Sequence, residues 1–502
     1  MTACSDQFSE YPGYQIGTRR EPDAVKSAGR SYFEGAAATS VSTLVSAASG
    51  FVSLYFLTRI LTKEELGGYA FAFSVVSLLA FVAAWGFERN LMLRIARLAP
   101  DPKDLRGRGL VLRAVGVSAL IAMVLIAGLY LAAPGVVALG AIPEAEPWLV
   151  LLVVALVPMA ASAQMQAWFR ANSRIVTASL TNGAVNLSRA LLLAGVFLAG
   201  GGVGSVAAAV ILSTLAPVLI IGFLGRHARD RPPSHMRLRD TWTGAVMVVQ
   251  KISNYGLRLV DVILVGFLAS GAATAEYAVA ARLALFCGMG SEAMQPTFAP
   301  RGRRYFATGD LASAAREYHM ARAAGFLVSL GVAILLVLLG PRLLDVFGEF
   351  EAAFGPLLVL SAGYIVTAGA GFHFSYLQMQ GELWGTTVLR LSGLAVMVVL
   401  AFLLIPTLAA LGGGLALSGA IVYLNAASLY YMYKRTGFPG LTRASVVLTM
   451  LAATLLTAGG LGHVAPMPLA AALTAVGLAA FMIDDHAKAV FRLVIQGLRL
   501  AG

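Results

Sequence analysis

The chain has 502 residues, of which 58% are hydrophobic and only 12% are charged. Soluble domains carry roughly 25% charged residues, so this composition excludes an ordinary soluble protein and indicates a polytopic membrane protein. The formal net charge of +12 would favour a nucleic-acid partner in a soluble chain. Here the positions of the bases report membrane topology instead, and we expect no nucleic-acid partner.

Residues 1–34 form a polar tail with four basic residues and no apolar core of the signal-peptide type, so we expect a disordered cytoplasmic segment. After it come fourteen apolar runs of about 20 residues, the length that crosses a hydrocarbon layer of about 30 Å. The runs start near Ala36, Gly67, Leu110, Pro147, Ile175, Gly202, Trp242, Ala275, Met320, Phe354, Trp384, Leu411, Ser445 and Met467.

The connectors between these runs alternate in charge. One set, together with the two termini, holds 28 Lys and Arg residues, whereas the other set holds only Arg59, Lys63 and Arg342. Because cytoplasmic loops collect basic residues, the pattern predicts an even number of spans with both termini in the cytoplasm. Residues 486–502 place apolar side chains on one helical face, which predicts an amphipathic helix on the cytoplasmic membrane surface.

Three sequence patterns occur twice in the same order. GGYAFAFS at Gly67 resembles AEYAVAAR at Ala275, LAAPGVVALG resembles LLGPRLLDVFG around Pro341, and GGGVGS at Gly200 resembles GGGLALS at Gly412. The near-constant spacing indicates two copies of one six-helix bundle, related by an axis along the membrane normal. We therefore predict an all-α membrane protein with two six-helix lobes around a central cavity, plus two C-terminal helices. The predicted parts are an N-lobe at 35–225, a cytoplasmic linker at 226–241, a C-lobe at 242–434 and the last two spans at 435–485.

The seventh span carries charges that lipid would not tolerate. Its polar residues fall within one face of a helix: Lys251, Asn254, Tyr255, Arg258 and Asp261. A Lys, Arg or Asp near the centre of a lipid-facing helix costs roughly 2.5 to 3.5 kcal/mol. The stripe should therefore face protein or water, and it is a candidate binding site. In the alternative interpretation, Arg258 and Asp261 neutralise each other and Lys251 extends towards the interface.

Further ionisable residues lie in other spans. Arg189 follows Asn182 and Asn186 on one face of the fifth span, and Arg282, Glu292 and Arg390 lie in later spans. At membrane depth the spans thus hold five bases, with Lys251 and Arg258 of the stripe included, against two acids, an excess that suits an anionic ligand. Asp261 and Glu292 are either ion-pair partners or carriers of a coupling proton, and both interpretations stay open. The hydroxyls of the first span, among them Ser42, Ser46 and Ser53, either pack helices or hydrogen-bond to sugars.

The stretch from Leu57 to Arg94 resembles the opening signature of bacterial polysaccharide flippases, members of the multidrug/oligosaccharidyl-lipid/polysaccharide exporter superfamily. The resemblance rests on residues in the first two spans, which are Arg59, Leu61, Glu64, Glu65, Gly67, Tyr69, Gly86 and Arg94. LQMQGELWGTTVLRLSG from Leu377, followed by Pro406 and a triple-glycine connector, also resembles the family. The resemblance covers about residues 35 to 435.

The resemblance implies a flippase that moves undecaprenyl-diphosphate-linked oligosaccharide from the cytoplasmic to the outer leaflet of the bacterial inner membrane by alternating access. Its product would serve O-antigen, capsule or exopolysaccharide synthesis, with a polysaccharide polymerase and glycosyltransferases as further partners beside the membrane lipids. Family members place bases of helices one, seven and eight at the lipid diphosphate, which corresponds here to Lys251, Arg258 and Arg282. The first span departs from that pattern because it has no internal base. Arg189, Asn186 and Asn254 complete the candidate binding residues, and we expect no cofactor or metal, with proton or sodium coupling left open.

Two other functions compete with this one. A cation-coupled multidrug exporter of the same superfamily would typically have twelve spans and acidic cavity residues, whereas this sequence has fourteen spans and a basic excess. A polytopic sugar polymerase or glycosyltransferase would need catalytic residues in a substantial loop. The short outer loops and the lack of a paired-carboxylate or metal-ligand cluster argue against such an enzyme and favour a transporter.

Overall fold

A computed structural model describes most of the chain, namely residues 42, 45–96, 105–138, 142–172, 174–224, 238–308 and 310–490. The predicted tail at 1–34, most of the predicted linker at 226–241 and most of the predicted amphipathic helix at 486–502 lie outside these described residues.

The described residues are helical almost throughout, as the composition predicts. The helices are α1 (Val45–Ile60), α2 (Lys63–Ala84), α3 (Phe87–Ala96), α4 (Arg108–Ala138), α5 (Ala145–Leu152), α6 (Leu156–Ala171), α7 (Ile175–Leu198), α8 (Val203–Leu224), α9 (Leu238–Tyr255), α10 (Leu257–Leu268), α11 (Gly271–Thr308), α12 (Leu311–Phe347), α13 (Phe354–Ala370), α14 (His373–Met379), α15 (Leu383–Thr436), α16 (Arg443–Gly460) and α17 (Pro466–Ile483). Short 3₁₀ turns at Val153–Ala155 and Glu351–Ala353 precede α6 and α13.

Ten spans among the described residues are long and apolar enough to cross a membrane by length and composition. One of them is α15, which is two helices joined across a kink at Ala409, where φ is 47°. The other predicted spans correspond to α1, which is shorter, to α9 with α10, which are interrupted at Gly256, and to the more polar α11. The structure thus has a helical segment for each of the fourteen predicted spans, and the all-α polytopic fold class is confirmed.

The connectors fall at two ends of the helix bundle. We call one the basic end, because the connectors after α3, α6, α8, α11, α14, α15 and α17, together with the helix ends that flank them, carry most of the Lys and Arg residues. The other end, here called the opposite end, holds the short connectors that precede α2, α5, α8, α11, α13 and α17.

The helices pack as two groups that meet along α2. In the first group, α1–α8, helix α2 packs against α5 and α6, and α6 packs against α4 and α8. In the second group, α9–α15, helix α11 packs against α12 and α13, and α13 packs against α15. The groups contact each other mainly where α2 meets α10 and α11. The space beside this contact is therefore lined from both groups.

Local sequence accounts for where the key helices begin and how closely they approach. Thr62 and Glu65 form a reciprocal capping box that starts α2, with each side chain accepting a hydrogen bond from the other's backbone N–H. The chain reverses at Ala409 rather than at the triple glycine, which lies inside the second half of α15. A Cβ on Gly413 would lie 2.6 Å from Val265 Cγ2 and 3.1 Å from the ring of Tyr277. Glycine therefore permits the close contact of α15 with α10 and α11.

The last two helices pack on the second group. Helix α16 packs against α13, and α17 packs against α16 and α12. At the basic end, Arg322 Nη2 lies 2.9 Å from Asp484 Oδ2, and the two side chains are only 2% and 7% exposed. This buried ion pair joins the C-terminal end of α17 to α12.

Candidate substrate-binding cavity

A cavity of about 480 Å³ lies between the two helix groups. Its walls come from α1, α2, α6 and α7 of the first group and from α9, α10, α11, α13 and α15 of the second group. The volume falls within the range of about 300 to 1,000 Å³ that is usual for ligand pockets. The cavity is the central space that the two-lobe prediction implies.

The charged side chains of the cavity wall are mostly basic. They comprise four cations and a single carboxylate, which leaves a net formal charge of +3, and they are Arg189, Lys251, Arg258, Arg282 and Asp261. All five were candidates from the sequence, and they come from α7, α9, α10 and α11. Arg390, which the sequence analysis counted with them, does not line this cavity, and its guanidinium lies 4.0 Å from the ring centroid of Phe374.

Lys251 connects the two helix groups. Its Nζ lies 2.6 Å from Glu88 Oε1 on α3, and both side chains are a little over one fifth exposed. The same ammonium lies 4.9 Å from the ring centroid of Phe81 on α2. A cation over an aromatic face gains further electrostatic stabilisation. Lys251 is therefore held from α2 and α3 rather than extended to the interface along its own helix.

Arg258 pairs with Glu292 rather than with Asp261. Its Nη2 lies 2.8 Å from Glu292 Oε1 on α11, and the two side chains are 48% and 50% exposed. The helix is interrupted just before Arg258, at Gly256, where a Cβ would lie 2.4 Å from the carbonyl oxygen of Ile252. Since both members of the pair are half-exposed, part of their hydrogen-bonding capacity remains free for a ligand inside the cavity.

Asp261 accepts hydrogen bonds from two other donors. Tyr277 Oη donates to Asp261 Oδ2 at 2.8 Å, and the backbone N–H of Val262 donates to Oδ1 at 2.7 Å. Asp261 is 5% exposed and Tyr277 is fully buried. The carboxylate is thus held by Tyr277 of α11 at the edge of the cavity. The alternative interpretation from the sequence expected Arg258 as its partner instead.

Arg189 and Arg282 complete the basic wall. Arg189 Nε donates a hydrogen bond of 3.3 Å to Ser213 Oγ on α8, and its guanidinium lies 4.9 Å from the ring centroid of Phe73. These two contacts hold the side chain towards the cavity. Arg282 is exposed and lines both the central cavity and a smaller neighbouring one.

The smaller cavity, of about 270 Å³, lies between α1, α7 and α11. Asn186 and Ser46 line it, together with Arg258, Arg282 and Glu292. The two arginines are common to both cavities and connect them. Asn254, the remaining candidate, is exposed and lines neither cavity, so only part of the predicted stripe faces inward.

Apart from Tyr255, which belongs to the predicted stripe, the sequence analysis did not assign the aromatic wall of the central cavity. It consists of side chains from α2, α9 and α13, which are Tyr69, Phe73, Phe81, Tyr255 and Tyr364. The repeated Gly-x-Tyr pattern was a signal for Tyr69, but nothing in the sequence distinguished Phe73 or Tyr364 from packing residues. Aromatic faces suit the apolar faces of sugar rings and can also hold cations in place.

Hydroxyl groups add hydrogen-bonding capacity to the same cavities. Ser53 lines the central cavity and Ser46 the smaller one, and neither Oγ has a hydrogen-bond partner among the described residues. Ser42, by contrast, donates a hydrogen bond to the carbonyl of Ser179 on α7. The hydroxyl row of the first span therefore packs helices at one turn and lines cavities at two others, and hydrogen bonding to sugars stays a prediction.

The opposite end of the cavity is closed by contacts between the two groups. The Cβ of any residue larger than glycine at Gly67 would lie 2.0 Å from the carbonyl oxygen of Gly271, so α2 and α11 touch through their backbones. Nearby, Lys63 Nζ lies 3.7 Å from Glu276 Oε1, and Arg59 Nη2 donates a hydrogen bond of 3.0 Å to the carbonyl of Val346. The cavity is thus sealed from this end.

Several solved structures share this architecture. The lipid II flippase MurJ in an inward closed conformation has a TM-score of 0.65 at 14% identity, with 91% of this chain and 99% of that chain covered. An inward-facing multidrug resistance MATE family transporter of the MOP superfamily has a TM-score of 0.63 at 16% identity, with 78% and 94% covered. An outward-facing MATE family transporter has a TM-score of 0.55 at 15% identity, with 81% and 95% covered. At these identities the likeness concerns the fold.

The family follows from the sequence itself. A search of curated proteins finds no match. Residues 33–291, which is more than half of the chain, match the family described as polysaccharide biosynthesis protein. This match covers the first helix group, the Arg258 region and α11 as far as Ser291, and it agrees with the resemblance found in the opening two spans. The chain belongs to the polysaccharide biosynthesis protein family and has the fold of the MOP superfamily transporters.

Proposed function

We propose that this protein is a flippase that moves undecaprenyl-diphosphate-linked oligosaccharide from the cytoplasmic to the outer leaflet of the bacterial inner membrane. The observation that carries the proposal is the central cavity between two helix groups, whose wall holds four cations and one carboxylate, with Glu88 and Glu292 pairing with two of the cations from outside the wall. A diphosphate that leaves water loses its hydration, and fixed cations in the cavity offset that cost. Membership of a polysaccharide biosynthesis family supports a glycan as the cargo.

The contacts suggest how the headgroup binds. Arg258 and Arg282 line both cavities, and arginine can present two parallel N–H donors to a phosphate. We propose that these two side chains hold the diphosphate, with Lys251 and Arg189 adding charge from either side. The sugars then lie against Tyr69, Phe73 and the unpaired serine hydroxyls, while the lipid chain stays in the bilayer.

Transport follows from the two-group architecture. In the proposed cycle the headgroup enters from the basic end, which faces the cytoplasm, because the opposite end is sealed where α2 meets α11. Rocking of the two groups around the bound headgroup then opens the opposite end, in the manner of other repeat-built transporters. Both termini lie in the cytoplasm, and a polymerase and glycosyltransferases act before or after the flipping step. The source of energy is a proton or sodium gradient or the membrane potential, with Asp261 and Glu292 as the candidate coupling carboxylates.

The experiment that tests this proposal combines binding and export. Charge-assisted hydrogen bonds contribute about 1.5 to 3 kcal/mol each, so Arg258→Ala or Arg282→Ala should weaken binding of undecaprenyl diphosphate by roughly tenfold to 150-fold. Each variant should also fail to restore surface polysaccharide in a strain that lacks the gene. Lys434→Ala, which removes an exposed base from the basic end of α15, is the matched control and should behave as the unmodified protein. Normal binding and export by both arginine variants would refute the proposal.

The multidrug exporter alternative makes the reverse prediction. A cavity with four cations and one carboxylate repels cationic drugs. If the purified protein binds cationic dyes more tightly than undecaprenyl diphosphate, and Asp261→Asn abolishes that binding, the exporter function is favoured instead.

A further inference from the structure

Two contacts join the helix groups at the basic end of the central cavity. The nearer layer is aromatic: the rings of Phe81 on α2 and Tyr255 on α9 lie with their centroids 5.3 Å apart. The second layer is the ion pair of Glu88 on α3 with Lys251 on α9, at 2.6 Å. The Lys251 ammonium also lies over the Phe81 ring. The ion pair therefore holds both layers together.

Lys251 has two roles that draw on the same positive charge. It lines the cavity as one of the four cations, and it also holds α9 against α3 through Glu88. An ammonium has three N–H donors but only one positive charge, so a second anion brought to the same nitrogen repels the Glu88 carboxylate. A diphosphate carries more negative charge than one carboxylate, so it competes with Glu88 for Lys251 once it reaches the cavity entrance.

The ties at the opposite end lack this property. Lys63, which pairs with Glu276, does not line the cavity, and the Gly67–Gly271 contact carries no charge. An anion in the cavity therefore cannot loosen those ties by exchange. Of these contacts, only the one at the basic end can be weakened by an anion in the cavity.

We propose that the Glu88–Lys251 ion pair is a latch that keeps the basic end of the empty cavity closed, and that an anionic headgroup opens it by taking Lys251 from Glu88. This inference rests on the proposed anionic substrate. It makes Glu88 a positioning residue, since it acts through Lys251 and not on the substrate. It also gives a role to the acid that lies beside the basic cavity and pairs with one of its cations.

The test is the accessibility of a cysteine behind the latch. Ser77 lines the cavity one helical turn before Phe81 on α2. Ser77→Cys is introduced into a background with Cys4→Ser and Cys287→Ala, and inside-out vesicles are exposed to a membrane-impermeant maleimide. Without ligand, labelling should be slow, and inorganic pyrophosphate should accelerate it. Adding Glu88→Gln should accelerate labelling about threefold without pyrophosphate and remove the response to pyrophosphate.

Two further variants separate the latch from a general loss of structure. Asp485→Asn disrupts a surface ion pair with Lys488 outside the cavity and should leave labelling unchanged. The exchange Glu88→Lys with Lys251→Glu rebuilds the pair in reverse and should restore slow labelling. If the Glu88→Gln protein is labelled as slowly as its parent, or the reversed pair as fast as Glu88→Gln, the latch is refuted.

The outcome also distinguishes the latch from the proposed function. Pyrophosphate binding is measured on the same purified proteins. If the parent protein binds pyrophosphate but its labelling does not accelerate, the latch fails and the anionic site stands. If the parent protein binds neither pyrophosphate nor undecaprenyl diphosphate, the proposed function fails, while the Glu88→Gln comparison without ligand still decides whether the pair closes the basic end.

Discussion

Replacing Gly67 by alanine should force the opposite end of the protein apart. The added Cβ would lie 2.0 Å from the carbonyl oxygen of Gly271, whereas ordinary van der Waals contact begins at 3.4 Å. The difference, 1.4 Å, cannot be relieved by a rotamer change, because the obstructing atom belongs to the backbone of α11. The two helix groups must therefore separate where α2 meets α11, or the protein must bear the strain.

The size of the effect follows from the cost of overpacking. Inserting a methyl group into a closely packed contact typically costs about 1 to 3 kcal/mol. The cost falls only on the state in which the opposite end is closed. It therefore shifts the equilibrium between that state and an outward-open state by roughly fivefold to 150-fold. Gly67→Ala should therefore populate an outward-open conformation without unfolding the protein.

The assay is a distance measurement between spin labels at the opposite end. Leu198 at the end of α7 and Leu461 after α16 are exposed, and the two helices belong to the first group and to the pair packed on the second group, so Leu198→Cys and Leu461→Cys carry the labels. The distance distribution in Gly67→Ala should move to longer values. Gly204→Ala is the matched control, since a Cβ there has no atom within 4 Å and alanine favours the helix. An unchanged distribution in Gly67→Ala, with unchanged thermal stability, would refute the argument that this glycine holds the end closed.

Two predictions concern stability. Asp484→Ala leaves Arg322 buried at 2% exposure without its carboxylate and should destabilise the protein by about 3 to 5 kcal/mol, whereas the double variant Arg322→Met with Asp484→Leu should be close to neutral. Thermal unfolding in detergent measures both effects. Equal melting temperatures of Asp484→Ala and the unmodified protein would contradict a stabilising role of the buried pair. Tyr277→Phe removes the 2.8 Å hydrogen bond to Asp261 and should cost about 1.5 to 3 kcal/mol. Tyr364→Phe is its control, because that hydroxyl has no hydrogen-bond partner among the described residues, and equal losses in the two variants would show that the Asp261 bond contributes nothing.

The number and order of the spans could be predicted from the sequence, because hydropathy and basic connectors are local properties of the chain. The cations of the cavity could be predicted too, since a charge in an apolar span must face protein or water wherever the helix packs. Arg189, Lys251, Arg258 and Arg282 illustrate this: each lines the central cavity. Membership of the polysaccharide biosynthesis family likewise follows from the chain alone.

Which partners these charges have was decided only by the tertiary structure. Lys251 pairs with Glu88 across 163 residues, Arg258 with Glu292 across 34, and Asp261 with Tyr277 across 16. Arg258 and Asp261 are three residues apart on one helix, which favoured a pair between them. They take other partners because packing brings α3 and α11 to the same polar face. Asn254 shared the predicted stripe yet lines neither cavity, because how the helix packs decides which part of a stripe faces inward. Sequence determines where charge must be sheltered, and the contact between helix groups decides which carboxylate meets which cation, because those contacts join residues that lie far apart along the chain.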